Sequence, residues 1–125
     1  MTRARPRLQV LVVGAGIAGL TTAYWLQHAG HHVRVIERAE WPRTEGFMID
    51  FYGPGYAVAE EMGIIPALRQ MHREVGEWSF DDMCGVPLFT LAYADVRRRL
   101  FGDRHFNFLR SQLERLLLSL VCDDV

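Results

Sequence analysis

The sequence contains no lysine: all 14 of its basic residues are arginines, which we attribute to codon bias. With 15 acidic residues the formal net charge is −1, so the chain lacks the basic excess of a general nucleic-acid binder. Half of the residues are hydrophobic and 23% are charged, which excludes a disordered chain. A folded protein that does not bind nucleic acid is expected.

Cysteine and long apolar runs are also scarce. The two cysteines, Cys84 and Cys122, are far apart and form no Cys-x-x-Cys pair, so neither a disulfide framework nor a zinc site is expected. No stretch reaches the roughly 20 apolar residues that cross a bilayer. The apolar run at 8–13 is too short for a signal peptide and is followed at once by glycines. We therefore expect a cytoplasmic protein with no bound metal and no contact with a membrane.

The first 37 residues have the pattern of a βαβ unit. Residues 8–13 form a β-branched apolar run, typical of a strand buried on both faces of a parallel sheet. Residues 17–29 have helical spacing, and Gly30 is a typical helix terminator. Residues 33–36 predict a second strand. The length of 125 residues allows one domain of ordinary size. The βαβ pattern predicts that this domain is of the α/β class.

Shorter elements are predicted after this unit. They are a strand at 47–51, helices at 55–62 and 65–72, a hairpin within 75–93, a loop at 95–104, a strand at 106–108 and a helix at 111–121. Ser111 is the expected N-cap of the last helix, and Glu114 would complete a capping box.

Six residues between the first strand and the first helix carry the main functional signal: Gly14-Ala15-Gly16-Ile17-Ala18-Gly19. Gly14 permits a sharp turn out of the strand, and Gly19 lets the helix lie close to the sheet. Gly16 has no Cβ, so the backbone amides can approach a pyrophosphate at the positive end of the helix. This pattern predicts dinucleotide binding.

Glu37 completes the pattern at the end of the second strand. A carboxylate at this point can accept hydrogen bonds from both ribose hydroxyls of an adenosine. It would repel a 2′-phosphate, so NADP is disfavoured in this particular site.

The glycine turn is part of a longer pattern, Gly-x-Gly-x-x-Gly-x-x-x-Ala-x-x-Leu-x-x-x-Gly-x-x-Val-x-Val-x-Glu. It is followed by Arg38, Arg43, the segments 46–50 and 62–64, and Phe108-Leu109-Arg110-Ser111-Gln112-Leu113. Taken together, these residues resemble the group A flavoprotein monooxygenases. These are aromatic and polyketide hydroxylases, including enzymes that inactivate tetracycline. The resemblance runs from Leu8 to the end of the chain. It implies a Rossmann-like FAD-binding βαβ parallel sheet and the start of an antiparallel hairpin from the substrate domain.

The resemblance also implies contacts with the cofactor. The positions concerned are Gly14, Ala15, Gly16, Ile17, Ala18, Gly19, Glu37, Arg38, Arg43, Asp50 and Arg110. The glycine turn and Glu37 would hold the ADP half of FAD, with Arg38 beside the adenosine. Asp50 would lie near the flavin, Arg110 would contact the ribityl chain or pyrophosphate, and Arg43 would meet the nicotinamide cofactor.

The implied reaction depends on the flavin. NAD(P)H would reduce FAD, O₂ would form a flavin C4a-hydroperoxide, and one oxygen atom would pass to an aromatic or polyketide-like substrate. No side chain is assigned a catalytic role, because the cofactor carries the chemistry.

Enzymes of this family are roughly three times longer and carry a mid-chain Asp-Gly motif and a late Gly-Asp motif that this sequence lacks. We therefore expect the chain to be an N-terminal piece, from a truncation, a gene fragment or an incomplete gene model. The expected division is the FAD-binding part at 1–74 with its βαβ core at 8–37, a substrate-domain hairpin at 75–93, and a return to the FAD-binding domain at 94–125. The hairpin would expose strand edges and aromatic residues, which predicts aggregation or a covering partner chain.

Two alternatives stay open. One is that the chain belongs to another FAD-dependent oxidoreductase, and the other is that it is an inactive nucleotide-binding fragment or interaction module. We expect the 125 residues alone to be inactive, because the flavin ring in such folds lies between two domains.

Overall fold

A computed structural model describes residues 6–40 and 46–121. The elements in chain order are β1 (Gln9–Val13), α1 (Ile17–His28), β2 (His32–Ile36), β3 (Met48–Tyr52), α2 (Pro54–Glu61), α3 (Ile65–Met71), β4 (Glu77–Asp81), β5 (Pro87–Ala92), α4 (Tyr93–Phe101), β6 (His105–Leu109) and α5 (Arg110–Leu120). The chain forms two compact units: the first combines residues 1–47 with 110–125, and the second is residues 48–109.

The first unit contains the predicted βαβ motif. Strands β1 and β2 are parallel, in a register that runs from Gln9 opposite His32 to Val13 opposite Ile36. Helix α1 connects them and packs against β2 and α5. The buried side chains of these elements include Leu20, Ala23, Val33, Val35, Leu113 and Leu117. The expected α/β class with a parallel βαβ unit is confirmed.

Strand β1 is not buried on both faces, as its apolar run predicted. Leu11 and Val13 are 58% and 77% exposed, whereas Val33 and Val35 on β2 are buried. Within the described residues, the helices that pack in this unit leave the Leu11 and Val13 side of the strand pair uncovered. The apolar run therefore predicted the strand correctly but not its environment.

The second unit is organised around an antiparallel pair of strands. Strand β3 pairs with β6 in a register that places Asp50 opposite Asn107. Helix α2 packs on β3, and α3 packs on β6. The buried side chains here include Tyr56, Ala59, Ile64, Leu68, Phe106 and Phe108.

The predicted hairpin is present as β4 and β5, which pair antiparallel with Glu77 opposite Ala92. Every residue of both strands is exposed. The base of the hairpin is closed by the Tyr93 amide, which donates a hydrogen bond to the Gly76 carbonyl at 3.0 Å.

The predictions for the loop at 95–104 and for the start of the last helix were also wrong. The expected loop at 95–104 is largely helix α4, which is anchored by the buried Tyr93 and has an Asp95–Arg98 ion pair at 3.6 Å. Helix α5 begins at Arg110, one residue before the predicted N-cap, so Ser111 lies buried in its first turn. Glu114 pairs with Arg110 instead of completing a capping box.

None of the helices in the described part of the chain is long and apolar enough to cross a membrane.

Candidate functional site

The turn between β1 and α1 has the backbone geometry that its glycines predicted. Gly14 has φ = +106°, in the left-handed region that favours glycine, and its amide donates to the Ile36 carbonyl at 2.7 Å. A Cβ on Gly19 would overlap the Gly14 carbonyl oxygen and lie 3.1 Å from the Gly14 carbonyl carbon. Only glycine at position 19 therefore allows α1 to approach β1 this closely.

The N-terminus of α1 is open above Gly16. Gly16 is the N-cap residue; among the described residues no side chain caps the helix, and no acidic residue lies in its first turn. Within 4 Å, the described atoms that a Cβ on Gly16 would meet are Arg110 Nη2 at 3.8 Å and Glu114 Oε1 at 4.0 Å. The first amides of a helix have no intrahelical acceptors, and the helix dipole favours an anion beside them. The space over Gly16 can therefore receive a phosphate group.

Glu37 faces this turn. Its Oε2 accepts a hydrogen bond from the Ala15 amide at 2.9 Å, and its Oε1 accepts one from the Ala39 amide at 2.8 Å. These bonds fix the carboxylate beside the glycine turn, where an adenosine ribose is expected. The Ala15 amide is bonded to Glu37, and the first intrahelical bond is donated by Leu20, so the first-turn amides that can face a phosphate are those of Ile17, Ala18 and Gly19.

Arg110 lies next to the open turn and is held in place by α5. Its Nη2 is 2.9 Å from Glu114 Oε1, with the two side chains 33% and 5% exposed respectively. Its backbone amide donates to the Phe47 carbonyl at 3.1 Å, and its guanidinium carbon lies 6.0 Å from the centre of the Phe47 ring. A partly exposed guanidinium fixed by a buried carboxylate suits the recognition of phosphate oxygens.

The structure brings together the glycine turn, Glu37 and Arg110 in the first unit. Arg38 follows Glu37 and is exposed. Arg43 lies outside the described residues. Asp50 belongs to the second unit and has its own set of partners.

Asp50 is the centre of a polar cluster between β3, β6 and the start of α4. Its Oδ1 accepts hydrogen bonds from the Tyr93 hydroxyl at 2.5 Å, from His105 Nε2 at 3.1 Å and from Asn107 Nδ2. Half of the Asp50 side-chain surface remains exposed, whereas His105, at 2%, and Asn107, at 3%, are buried. The three donors fix one carboxylate oxygen and leave the group accessible to solvent.

This cluster keeps Asp50 ionised. Burial alone would raise its pKa, but the hydrogen bonds from Tyr93, Asn107 and His105 outweigh burial and lower the pKa. Burial lowers the pKa of His105 despite the opposing effect of Asp50, so the ring is neutral near pH 7. Burial and the hydrogen bond to Asp50 raise the pKa of Tyr93, so its hydroxyl remains a donor.

Sequence reasoning missed several of these residues. The spacing of Glu114 from Ser111 predicts a capping box, but its spacing of four from Arg110 on a helix equally predicts the ion pair that the structure shows. Tyr93, His105 and Asn107 carried no signal, because they meet Asp50 only through strand register and the packing of α4. No group of three or more metal-ligating side chains occurs within residues 6–40 and 46–121.

The geometry of the first unit fits the adenosine diphosphate part of a dinucleotide. An open helix N-terminus, a glycine over which a phosphate can lie, a fixed carboxylate and an arginine meet at one edge of a βαβ motif. Together they define the class of dinucleotide-binding α/β proteins.

The chain belongs to the FAD-dependent oxidoreductase family, whose model matches residues 9–112. It is 44% identical over 64 residues to the FAD-dependent monooxygenase asL4 of Sarocladium schorii, covering 51% of this chain and 15% of that protein. It is 32% identical over 117 residues to the 3-amino-4-hydroxybenzoate 2-monooxygenase of Streptomyces cremeus, covering 91% and 29%. The crystal structure of tetracycline destructase Tet(51) matches with a TM-score of 0.73 at 27% identity, covering 94% and 29%.

These matches confirm the resemblance to flavin-dependent monooxygenases and FAD as the cofactor of the family. In each of them the chain spans less than a third of the other protein.

Proposed function

We propose that the chain is the FAD-binding N-terminal portion of a flavin-dependent monooxygenase that uses NAD(P)H and O₂ to hydroxylate an aromatic or polyketide-like small molecule. The observation that carries this proposal is the open α1 N-terminus over Gly16, with Arg110 beside it and Glu37 fixed at its edge. The names of an aminohydroxybenzoate monooxygenase and a tetracycline destructase among the similar proteins support the substrate class.

The proposed contacts follow from the chemistry of each group. The amides of Ile17 and Ala18 bind pyrophosphate oxygens over Gly16, whose missing Cβ permits the approach. Arg110 offsets the charge of the pyrophosphate or donates to the ribityl chain. Glu37 accepts hydrogen bonds from the ribose hydroxyls, and its charge disfavours a 2′-phosphate at this point.

FAD, when bound, supplies the redox chemistry that links NAD(P)H oxidation to transfer of one oxygen atom from O₂. The chain's own share is binding and electrostatics. In this proposal Asp50, kept ionised by its three donors, is the group near the flavin. Arg38 lies beside the adenosine, and Arg43 is the contact for the nicotinamide cofactor.

In this proposal, residues 1–74 and 94–125 belong to the FAD-binding domain, and residues 75–93 form the first hairpin of the substrate domain. On this division the 125 residues bind FAD without turning over. The FAD-loaded chain should oxidise NADPH no faster than free FAD does, measured at 340 nm. Faster oxidation would contradict the proposed inactivity.

The substitution Gly16→Ala tests the cofactor site. A Cβ has room in the folded chain, with its nearest neighbours at 3.8 and 4.0 Å, so the free energy of unfolding should change by less than about 1 kcal/mol. The same methyl group occupies the space needed by the pyrophosphate, so FAD and ADP affinity should fall at least about tenfold. Isothermal titration calorimetry with each ligand measures this loss.

The matched control is Gly76→Ala, where a Cβ would meet nothing within 4 Å and which lies outside the proposed site. This variant should bind FAD normally. Unchanged FAD binding by Gly16→Ala would refute the site.

The oxygen-transfer part is tested on a longer polypeptide that carries this chain at its N-terminus. We expect a yellow protein with flavin absorption near 450 nm whose NAD(P)H oxidation and O₂ uptake increase with an aromatic substrate. Flavin binding with oxidation but without hydroxylated product would favour another FAD-dependent oxidoreductase. Nucleotide binding without oxidation would favour an inactive binding module.

A further inference from the structure

A pocket lies in the second unit, beside Tyr93 and Asn107 of the Asp50 cluster. It has a volume of about 230 Å³ and is lined by the segment after α3, by the start of α4 and by Asn107 of β6. The side chains that matter for its chemistry are His72, Arg97, Arg98 and Glu74. The volume exceeds that of a single water molecule, about 30 Å³, several times.

His72 has a defined role at the edge of β6. Its Nδ1 lies 3.0 Å from the backbone amide of Asn107, and the Arg73 amide donates to the Asn107 carbonyl at 2.7 Å. These two contacts provide hydrogen-bond partners for both backbone groups of Asn107. A backbone amide can only donate, so His72 Nδ1 must be the acceptor and carries no proton.

The other ring nitrogen must therefore carry the proton. Burial and the neighbouring Arg97 charge lower the pKa of His72, so the imidazole is neutral near pH 7 and has a single N–H group. With Nδ1 bare, that group is Nε2–H. The alternative tautomer would set Nδ1–H against the Asn107 amide at 3.0 Å and leave that partly buried amide without an acceptor.

This assignment places two donors face to face. Arg97 Nη1 lies 3.2 Å from His72 Nε2, and an arginine has no acceptor to offer. Arg97 Nη1 also donates to the His105 carbonyl at 3.4 Å, which holds the guanidinium in place. An acceptor inside the pocket, within reach of both groups, would relieve this juxtaposition of two donors.

We propose that this pocket binds a small oxyanion, a carboxylate or a phosphate group, which accepts hydrogen bonds from His72 Nε2–H and from the Arg97 guanidinium. Such charge-assisted bonds to an arginine are among the strongest in proteins. Arg98 also lines the pocket, but its charge is shared with Asp95 at 3.6 Å, and the exposed Glu74 adds a negative charge. The site does not depend on FAD, because none of these residues is a proposed FAD contact.

The first test uses the unaltered 125-residue chain. Long-range ¹H–¹⁵N spectra at pH 7.5 should show His72 as the neutral Nε2–H tautomer. Titration with sodium phosphate and, separately, sodium acetate, at an ionic strength held constant with sodium chloride, should shift the His72 Nε2 and Arg97 Nε resonances to saturation. A response to phosphate alone identifies a phosphate site, and a response to acetate alone identifies a carboxylate site.

Variants then assign the response to residues. Arg97→Gln should weaken binding at least about tenfold, because a charge-assisted donor is lost. Arg99→Gln removes an exposed arginine of the same helix that does not line the pocket, and should leave affinity within about twofold. Glu74→Gln should strengthen binding about two- to threefold by removing a negative charge.

Three results would overturn the proposal. They are an Nδ1–H tautomer of His72, no saturable shift with either anion beyond the chloride control, and an equal loss of binding in Arg97→Gln and Arg99→Gln. The first two are read on the unaltered chain, so the proposal stays testable if Arg97→Gln does not fold.

Discussion

The close approach of α1 to β1 requires a glycine at position 19, where the helix passes the Gly14 backbone. A methyl group at position 19 would overlap the Gly14 carbonyl, and neither backbone segment can yield without moving α1 off β1. A Cβ on Gly16, by contrast, would lie no closer than 3.8 Å to any described atom beyond its chain neighbours and its own helix. Gly19 is therefore needed for folding, whereas the role proposed for Gly16 is in binding.

Gly19→Ala should destabilise the chain by at least about 3 kcal/mol, because the overlap is with backbone and not with a flexible side chain. Urea denaturation followed by circular dichroism measures the change. Gly76→Ala again serves as the control, with a change within about 0.5 kcal/mol. A stable Gly19→Ala protein would mean that α1 lies farther from β1 than described.

Loss of Arg110 and loss of Glu114 should lower the free energy of unfolding by different amounts. Arg110→Met strands a carboxylate that is 5% exposed, which should cost roughly 3 to 5 kcal/mol of unfolding free energy. Glu114→Gln leaves a guanidinium that is a third exposed and an amide oxygen that still accepts a bond, so the cost should be about 1 to 2 kcal/mol. Urea denaturation of both variants compares the two costs, and equal values would contradict the burial assigned to Glu114.

At the scale of elements, the register of the β3–β6 pair determines which polar groups surround Asp50. Because Asp50 lies opposite Asn107, a carboxylate on one strand meets a donor on the other, and α4 adds the Tyr93 hydroxyl. The pKa of Asp50 is lowered from 3.8 in the folded chain, so the ionised form stabilises the fold.

This stabilisation should be present above about pH 4 and lost as the pH falls through the lowered pKa of Asp50. Because half of the Asp50 side chain is exposed and screened by solvent, Asp50→Asn should cost no more than about 1 kcal/mol at pH 7 and progressively less below pH 4. Urea denaturation between pH 3 and pH 7 measures this trend. Tyr93→Phe, which removes one donor, should give a smaller difference with the same direction, and a difference that grows in acid would contradict the assignment.

The βαβ unit and the glycine turn could be predicted because their signals are local. Apolar runs, glycine spacing and the position of Glu37 lie within 30 residues, and each has one physical interpretation. Helix α4 was missed although Tyr93, Val96 and Leu100 have helical spacing, because the polar run Arg97-Arg98-Arg99 favoured a solvated loop over a helix. The Asp50 cluster was missed because its members are separated by 43 to 57 residues and meet only through tertiary structure.

At the scale of the whole molecule, burial is unevenly distributed. The strands β3 and β6 lie under α2 and α3, and four of the five residues of β6 are buried. The hairpin β4–β5 has no buried residue, and its exposed apolar side chains include Trp78, Phe80, Leu88 and Phe89. A two-stranded hairpin without a covered face is only marginally stable.

Hydrogen exchange should therefore divide the second unit. Amides of β4 and β5 should exchange on the order of 100-fold faster than those of β3 and β6, because the hairpin has no buried residue and rests on the core only through contacts with α4, such as that of the Trp78 and Tyr93 rings. Exchange followed by mass spectrometry or by NMR at neutral pH measures the ratio. Equal protection of the two strand pairs would show that the hairpin is covered, by a second copy of the chain or by a part of the molecule outside the described residues.

The bond between the Tyr93 amide and the Gly76 carbonyl brings the two ends of the hairpin to one point. A chain that departs and returns at the same place can be lengthened, shortened or exchanged there without altering the connections of its neighbours. The hairpin within residues 76–93 could therefore be replaced by a different segment, in evolution or by engineering, while the sequence of the proposed nucleotide site stays unchanged.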